Sequence, residues 1–251
     1  MKRSKLKIGS FDIETSPNIG AYFNLYQEGN IVWTEEHWHI LSFAIKDLHT
    51  NKVVCWALPD FKLYKKDPRN DIEVVKKLWE IFNTYDILIA HNGQAFDVKK
   101  VMARFIFHKM QPPKPCQFID TKLVAKRYFK FDSNKLDDLG DYFGVGRKLE
   151  TEKGLWKRCR NGDLKAWSLM KKYNKQDVIL LEKIYLKMLP FIKDHPNVAL
   201  MIDIERACPN CSSLNIQRRG YAYTRVSMFQ RIQCLDCGSW HQSPIKGGQV
   251  R

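Results

Sequence analysis

The stretch KLKIGSFDIET, residues 5–15, contains the feature on which the fold assignment depends. Its run of apolar residues after a basic arm is typical of a buried β-strand. Because side chains alternate between the two faces of a strand, Asp12 and Glu14 project to one side while Phe11 and Ile13 project to the other. Two carboxylates on one face repel each other unless a divalent cation binds them. The strand therefore indicates a metal site.

The Asp-Ile-Glu tripeptide is not specific by itself, because it occurs three times in the chain. The copy at 71–73 follows a Pro-Arg-Asn turn and opens an amphipathic pattern, so we interpret it as a helix start whose acids favour the helix dipole. The copy at 203–205 ends a short apolar run, and we interpret it as a linker or an edge strand. A functional assignment consequently needs further motifs.

The rest of the chain predicts an α/β fold, in which apolar runs alternate with helical periodicity. Further strands are predicted at 38–48, 51–58, 86–90 and 118–120, and helices at 71–85, 96–109, 121–130, 135–143 and 163–193. Residues 16–37 have weak periodicity and several aromatic residues, so we expect a long ordered loop that either carries function or is merely pinned to the core. The expected sheet is mixed, with three antiparallel strands followed by parallel strands, and is flanked by helices.

A further carboxylate is placed by ILIAHNGQAFDVKKV, residues 87–101. A buried strand ends there and a helix begins, with Asp97 near its first turn. Ligand sites of α/β sheets gather where strands end and helices begin, so Asp97 can approach the acidic pair on the first strand. Helix capping is the alternative role for Asp97.

The stretch KKYNKQDVILL, residues 171–181, supplies the last acidic motif. Tyr173 and Asp177 lie four residues apart on one helical face, so both can point into the same cleft. Tyr128 and Asp132 have the same spacing, but the Ser-Asn pair after them indicates a turn. We therefore expect the long helix around residue 177 to carry the site.

Taken in order, FDIET, NGQAFD and Tyr-x3-Asp resemble the three motifs of the DEDD exonuclease superfamily, whose members have a ribonuclease H-like fold. The tyrosine is typical of the tyrosine subclass, and the chain is similar to phage and bacterial exonucleases related to the proofreading domain of family B DNA polymerases. The resemblance covers about residues 5–190, including IDTKLVAKRYF and SNKLDDLGDYFGVGRK between the second and third motifs. It implies a two-metal 3'→5' exonuclease.

The resemblance implies a role for each motif residue. Asp12, Glu14 and Asp177 would hold one Mg²⁺ or Mn²⁺ ion and Asp12 a second, with Asp97 bound to it through water or substrate phosphate. Tyr173 would orient the reacting groups, because an unperturbed tyrosine stays protonated near neutrality. These five residues are the expected catalytic set.

The expected substrate is nucleic acid, with single-stranded DNA favoured over RNA and nucleoside monophosphates as products. The family pattern implies that the backbone near Thr15 and the side chain of Asn92 contact the terminal nucleotides, although Asn92 could instead cap the local turn. Two alternatives remain: a non-catalytic nucleic-acid-binding protein, and a recruitment factor that acts with a replication or repair complex.

Composition agrees with a polyanionic partner. The formal net charge is +15, from 42 Lys+Arg against 27 Asp+Glu. Such an excess favours phosphate contacts, although it could equally keep the protein in solution. No apolar run approaches the length of a membrane span, and the basic N-terminus reaches acidic residues too soon for a secretory signal. We therefore expect a cytoplasmic protein, in the host cytoplasm if its source is viral, with no membrane partner.

The C-terminal region contains two Cys-x2-Cys pairs separated by 22 residues: Cys208, Cys211, Cys234 and Cys237. In a cytoplasmic setting this spacing predicts one structural Zn²⁺ held by four cysteines, in a module that resembles a zinc ribbon. We expect a nuclease domain over 1–197, and a linker with the zinc ribbon over 198–251. The candidate nucleic-acid contacts on the ribbon are Arg218, Arg219, Tyr221 and Tyr223. A protein-docking or purely structural ribbon is the alternative.

Overall fold

The computed structural model of the chain describes residues 6–23, 31–152 and 154–249. Its strands are β1 (Ile8–Thr15), β2 (Ile19–Tyr22), β3 (Ile31–Glu36), β4 (Ile40–Asp47), β5 (Val53–Ala57), β6 (Ile87–Ala90), β7 (Gln117–Asp120), β8 (Ile216–Tyr223), β9 (Ser227–Cys234) and β10 (Trp240–Gln249). Its helices are α1 (Ile72–Thr84), α2 (Asp97–Phe107), α3 (Thr121–Tyr128), α4 (Leu136–Tyr142), α5 (Leu155–Arg160), α6 (Leu164–Met188) and α7 (Val198–Met201). Within these ranges, every helix is too short or too polar to cross a membrane.

The main sheet has five strands in the order β5-β4-β1-β6-β7. β1 pairs antiparallel with β4, which pairs antiparallel with β5, whereas β1 pairs parallel with β6, and β6 with β7. The predicted mixed sheet of three antiparallel strands followed by parallel strands is therefore confirmed. β1 is its central strand, so both of its edges are paired.

The two faces of β1 meet different layers. Phe11 packs edge-to-face on Phe82 of α1, with ring centroids 5.6 Å apart, and Ile13 belongs to the same buried cluster. On the opposite face, Asp12 meets Asn174 of α6. The alternation predicted from the sequence thus turns apolar side chains towards α1 and carboxylates towards α6.

The predicted loop over residues 16–37 is wrong in part, because it contains a two-stranded antiparallel ribbon of β2 and β3. Almost every described side chain of the ribbon is at least partly exposed, and in β3 only Glu36 is buried. A ribbon with no buried face has no need for alternating apolar residues, which explains the weak periodicity. Residues 24–30 of this stretch lie outside the described residues.

Three smaller differences have local causes. The long helix ends at Met188 rather than at 193, because Pro190 follows in a short 3-10 turn. The helix α5 was not predicted, since its six residues are too few for a clear period. Asp203 has φ +61° in a turn after α7, so the predicted linker at 203–205 is correct and the edge strand is not.

Asp71 begins α1 as predicted, but its side chain does not cap the helix. It is fully buried and binds the Arg104 guanidinium of α2 at 2.8 and 2.5 Å. His108 Nε2 lies 2.7 Å from the same carboxylate, and the Ile40 amide of β4 donates to it at 2.8 Å. Asp71 therefore joins α1, α2 and β4 and does more than favour the helix dipole.

Replacing Arg104 by methionine is expected to lower the free energy of unfolding by about 3–5 kcal/mol, because the Asp71 carboxylate would remain buried without its main countercharge. Urea denaturation followed by circular dichroism measures this loss. The control is Lys77→Met, which removes the solvent-accessible Lys77–Glu80 ion pair of α1 and should cost less than about 1 kcal/mol. Equal losses in the two variants would contradict the assignment.

The C-terminal strands form a separate sheet in the order β10-β9-β8. The turn between the first two cysteines packs on the end of α6, where Asn210 Nδ2 donates to the carbonyls of Leu189 and Ile192, both at 3.2 Å. The Val198 amide also donates to the Pro209 carbonyl at 2.7 Å. This sheet is therefore anchored on the main domain, while the division at residue 197 stays a prediction.

Candidate active site

Three carboxylates converge between β1, α5 and α6. Asp12 and Glu14 lie on β1, and Asp177 lies in the middle of α6. One carboxylate oxygen from each of the three residues lies within 4.8 Å of the others. The structure therefore brings together residues that are far apart in the sequence, in the arrangement expected from the first and third motifs.

Asp97 is buried beside this cluster at the first residue of α2. Its Oδ1 accepts a hydrogen bond from the Ile13 amide of β1 at 3.1 Å, so its carboxylate binds the neighbouring strand. The group of three oxygens within 4.8 Å does not include it. Asp97 therefore lies next to the other acids but outside the group whose oxygens converge.

Burial is the main reason that the carboxyl pKa values are high. It raises the pKa of Asp12 well above the ordinary value, and the charges of Asp97, Glu14 and Asp177 raise it further. Burial likewise raises the pKa of Glu14 and that of Asp97 to about 7 each. Burial and mutual repulsion therefore disfavour full ionisation of the four acids at neutral pH, and a bound cation would favour it.

The donor set fits a divalent cation. Asp177 Oδ1 is buried and has no hydrogen-bond partner among the described residues. An unsatisfied buried carboxylate oxygen is costly, and a metal ion would satisfy it. Asp12 and Glu14 are partly exposed, and carboxylate oxygens that water can reach are the ligands that Mg²⁺ and Mn²⁺ prefer. Asp12, Glu14 and Asp177 could therefore hold such an ion.

Asn174 is a site residue that the sequence reasoning missed. Its Nδ2 donates to Asp12 Oδ2 at 2.6 Å, and its Oδ1 accepts from Ser42 Oγ of β4 at 3.2 Å. Asn174 is fully buried and lies three residues before Asp177, on the same face of α6. A second polar residue beside Asp177 on the mainly apolar face of α6 was the available signal.

Two more residues enter the site, one from the segment before α5 and one from α5 itself. Lys148 Nζ lies 2.7 Å from Asp177 Oδ2, and Trp156 Nε1 donates to Glu14 Oε2 at 3.2 Å. Burial lowers the pKa of Lys148, but the nearby Asp177 and Tyr173 raise it more, so the ammonium group stays protonated. Neither residue lies in a periodic sequence pattern, so the sequence did not indicate that either would contact the site acids.

Tyr173 lies beside Trp156 and Lys148 at the same site. Its ring packs edge-on against Trp156 at 6.1 Å, and Lys148 Nζ lies 4.8 Å from its centroid. Burial raises the pKa of Tyr173 to about 12, so the phenol keeps its proton at neutral pH. The competing Tyr128 instead donates to Asp194 Oδ1 at 2.6 Å on the surface.

Thr15 and Asn92 are the predicted contacts to the terminal nucleotides. Thr15 ends β1 just after an irregularity in the pairing with β4. Asn92 follows β6 with φ +64°, and its amide donates to Asp120 Oδ1 at 2.9 Å. Both residues lie at strand ends close in sequence to site acids, and their contact with substrate stays a prediction.

The four cysteines of the C-terminal module also converge. Their sulfurs all lie within 4.8 Å of one another, and the pairs Cys208–Cys237 and Cys211–Cys234 are each separated by 3.6 Å. Tetrahedral Zn²⁺ with Zn–S bonds of about 2.3 Å requires sulfurs about 3.8 Å apart. The cluster therefore fits one zinc ion and is consistent with a zinc ribbon.

The predicted contacts on the ribbon all lie on β8, away from the carboxylate cluster. Their side chains are exposed: Arg218, Arg219, Tyr221 and Tyr223. Being exposed, they are accessible to a partner, whereas Asp12 and Glu14 are only partly exposed and Asp177 is buried.

Comparison with known proteins identifies the main domain. A sequence profile of the RNase H superfamily matches residues 11–189. No curated protein matches the chain. One similar solved structure is the family B DNA polymerase from the hyperthermophilic archaeon Pyrobaculum calidifontis, at 13% identity and a TM-score of 0.49, with 89% of this chain and 32% of the polymerase covered. This chain thus spans about a third of that polymerase. Because the profile covers most of the sequence, including all five predicted catalytic residues, the chain belongs to the RNase H superfamily.

Proposed function

We propose that the chain is a divalent-metal-dependent 3'→5' exonuclease that hydrolyses nucleic acid, with single-stranded DNA favoured, and releases nucleoside monophosphates. The convergence of Asp12, Glu14 and Asp177 around an unsatisfied buried oxygen carries the proposal. Membership of the RNase H superfamily supports a nuclease. The direction of cutting and the choice of substrate rest on the resemblance of the three motifs.

In this proposal Asp12, Glu14 and Asp177 hold the metal ions, and Asp97 assists through water or phosphate. When bound, two Mg²⁺ or Mn²⁺ ions would activate the attacking water and stabilise the leaving oxygen of the phosphodiester. The raised pKa values of Glu14 and Asp97 mean that these acids lose protons when cations bind. Metal binding and deprotonation are therefore coupled in this site.

The surrounding side chains fix the acids and the substrate. Asn174 holds one oxygen of Asp12, and Trp156 holds one oxygen of Glu14, so neither carboxylate rotates freely. Tyr173 keeps its proton and can donate a hydrogen bond to the attacking water or to a phosphate oxygen. Lys148 supplies a positive charge at the cleft that offsets the charge of the phosphate.

We further propose that the four cysteines hold a structural Zn²⁺ ion. Between residues 208 and 244 the buried side chains are few and small, and the apolar ones are Ala222 and two of the cysteines. So small a core cannot stabilise a sheet, whereas a metal that joins both turns can. Zinc would therefore be a condition for this module to fold.

Incubation with 5'-labelled single-stranded DNA in Mg²⁺ or Mn²⁺ is expected to give a ladder of progressively shorter labelled products. Shortening from the 3' end retains the label, whereas cutting from the 5' end releases it as a mononucleotide. Parallel reactions with duplex DNA and RNA measure the substrate preference. Denaturing gel electrophoresis resolves all three substrates.

Other outcomes point to different functions. A single internal fragment would indicate an endonuclease and contradict the exonuclease proposal. Binding without any metal-dependent product would favour the non-catalytic protein, or a factor that acts with a replication or repair complex. Loss of a co-purifying protein on deletion of residues 208–251 would identify the latter.

A further inference from the structure

A β-bulge in the C-terminal sheet of β8, β9 and β10 places an arginine and two tyrosines on one face. Arg218 pairs with Ile232, and Tyr221 pairs with Gln230. Between these two pairs β8 advances by three residues and β9 by only two, so β8 contains one extra residue. Gly220, at φ +71°, makes this extra residue possible. In a regular strand residues three apart point to opposite faces. Because of the bulge, Arg218 and Tyr221 lie on the same face.

This face lines an open groove of about 1100 Å³. The sheet contributes Arg218, Tyr221 and Ile232, and the facing wall is the segment around α7, with Leu200 and Arg206. Tyr223 follows on the same face at the edge of the sheet, where it is largely exposed. The groove therefore combines cations, aromatic rings and an apolar floor.

Among the described residues, no arginine of the ribbon forms a salt bridge. Every arginine ion pair within the described ranges involves an arginine before residue 161. Asp236 is the one acid between 208 and 251, and it accepts hydrogen bonds from Ser213 and Asn215 at 2.5 and 2.6 Å. Arg218 is thus available to an external anion.

The charge of the groove is divided between its walls. Asp203 and Glu205 lie beside Arg206 on the wall around α7, while the sheet wall has only basic and neutral side chains. Phosphates can follow the sheet wall, and base amino groups can donate hydrogen bonds to the Glu205 carboxylate on the other wall. Stacking of bases on exposed tyrosines requires unpaired bases.

We propose that this groove is a second binding site for single-stranded nucleic acid, in which Arg218 contacts phosphate and Tyr221 stacks on a base. The proposal rests on the proposed function for its choice of polyanion. The ribbon is fixed to the end of α6 through Asn210, and Asp177 lies eleven residues before the end of that helix, about 17 Å along its axis. A strand held in the groove therefore stays attached to the unit that carries the active site.

The test compares two double variants that remove the same charge and one aromatic ring each. Arg218→Ala with Tyr221→Ala alters the groove. Arg231→Ala with Trp240→Ala alters the opposite face, since Arg231 alternates with Gln230 and Ile232, and Trp240 pairs with Gln233. Tyr221 is 47% exposed and Trp240 is 55% exposed, so the two sets are matched in accessibility.

Fluorescence anisotropy with labelled 20-mers of oligothymidylate and oligouridylate, without added Mg²⁺ or Mn²⁺, measures binding independently of hydrolysis. The groove variant is expected to bind at least about tenfold more weakly, with a salt dependence reduced by about one phosphate contact. The opposite-face variant should change affinity less than about twofold. Tyr221→Phe should retain binding, because the ring still stacks.

Zinc content and circular dichroism establish that each variant keeps the ribbon. Equal weakening in both double variants would mean that charge alone attracts the strand, and would overturn the proposal. Unchanged binding in the groove variant would also overturn it and would favour a protein partner for this surface. Because no metal is added, loss of hydrolysis and loss of groove binding are separate results.

Discussion

Replacing Asp12 or Asp177 by asparagine is expected to lower the rate of metal-dependent hydrolysis by about a thousandfold or more, which corresponds to ~4 kcal/mol of transition-state stabilisation. Asparagine keeps the size of the side chain and removes the negative charge that would hold the cation. The charges of Asp97, Glu14 and Asp177 all act on Asp12, and Asp177 contributes the unsatisfied oxygen. Single-turnover hydrolysis of 5'-labelled DNA in Mg²⁺ measures the loss.

Two further variants serve as comparisons: Tyr173→Phe should lose part of the activity, and Asp132→Asn is the control. The tyrosine keeps its proton, so its loss removes orientation and should cost about ten- to a hundredfold while leaving a measurable remnant. Asp132 follows Tyr128 at the same spacing but lies outside the carboxylate cluster, so Asp132→Asn should be fully active. Full activity of Asp12→Asn, or loss in Asp132→Asn, would contradict the assignment.

The parts of the fold that could be predicted from sequence are those with a buried face. Alternation along β1 correctly separated Phe11 and Ile13 from Asp12 and Glu14, because one side meets α1 and the other α6. The two-stranded sheet of β2 and β3 was not predicted, because almost none of its side chains are buried. The helix start at Asp71 was predicted, but its ion pair with Arg104 joins residues 33 positions apart, which no local pattern indicates.

The same distinction applies to the candidate site. The five predicted residues lie in periodic elements, and their order along the chain resembles a known set of motifs. Asn174 could have been found, since it is a polar residue on the buried face of α6. Lys148 and Trp156 could not, because they reach Asp177 and Glu14 only through tertiary folding of segments without a period. The sequence motifs therefore predict the acidic residues, and the structure identifies the side chains that bind them.

Removal of zinc is expected to unfold the ribbon and leave the main domain folded. Structural zinc contributes about 10–16 kcal/mol to the folding of small modules, far more than this ribbon can gain by burying Ala222 and two cysteines. Cys211→Ser, which removes one of four ligands, should abolish zinc retention. Metal analysis and limited proteolysis, with new cleavage between 208 and 244, measure the two effects.

The main domain should survive this change, because its core is formed by the five-stranded sheet, α1 and α6, and of the four cysteines Cys237 alone packs against it. The zinc ribbon packs on the outside of this core, where Asn210 donates hydrogen bonds to the carbonyls that follow α6. Cys116→Ser is the matched control, since Cys116 lies outside the cluster and should leave the zinc content at one ion per chain. A zinc-free protein whose ribbon still resists protease would show that packing on α6 is sufficient. A Cys211→Ser protein that still degrades DNA while its ribbon is cleaved would instead establish that catalysis belongs to the main domain alone.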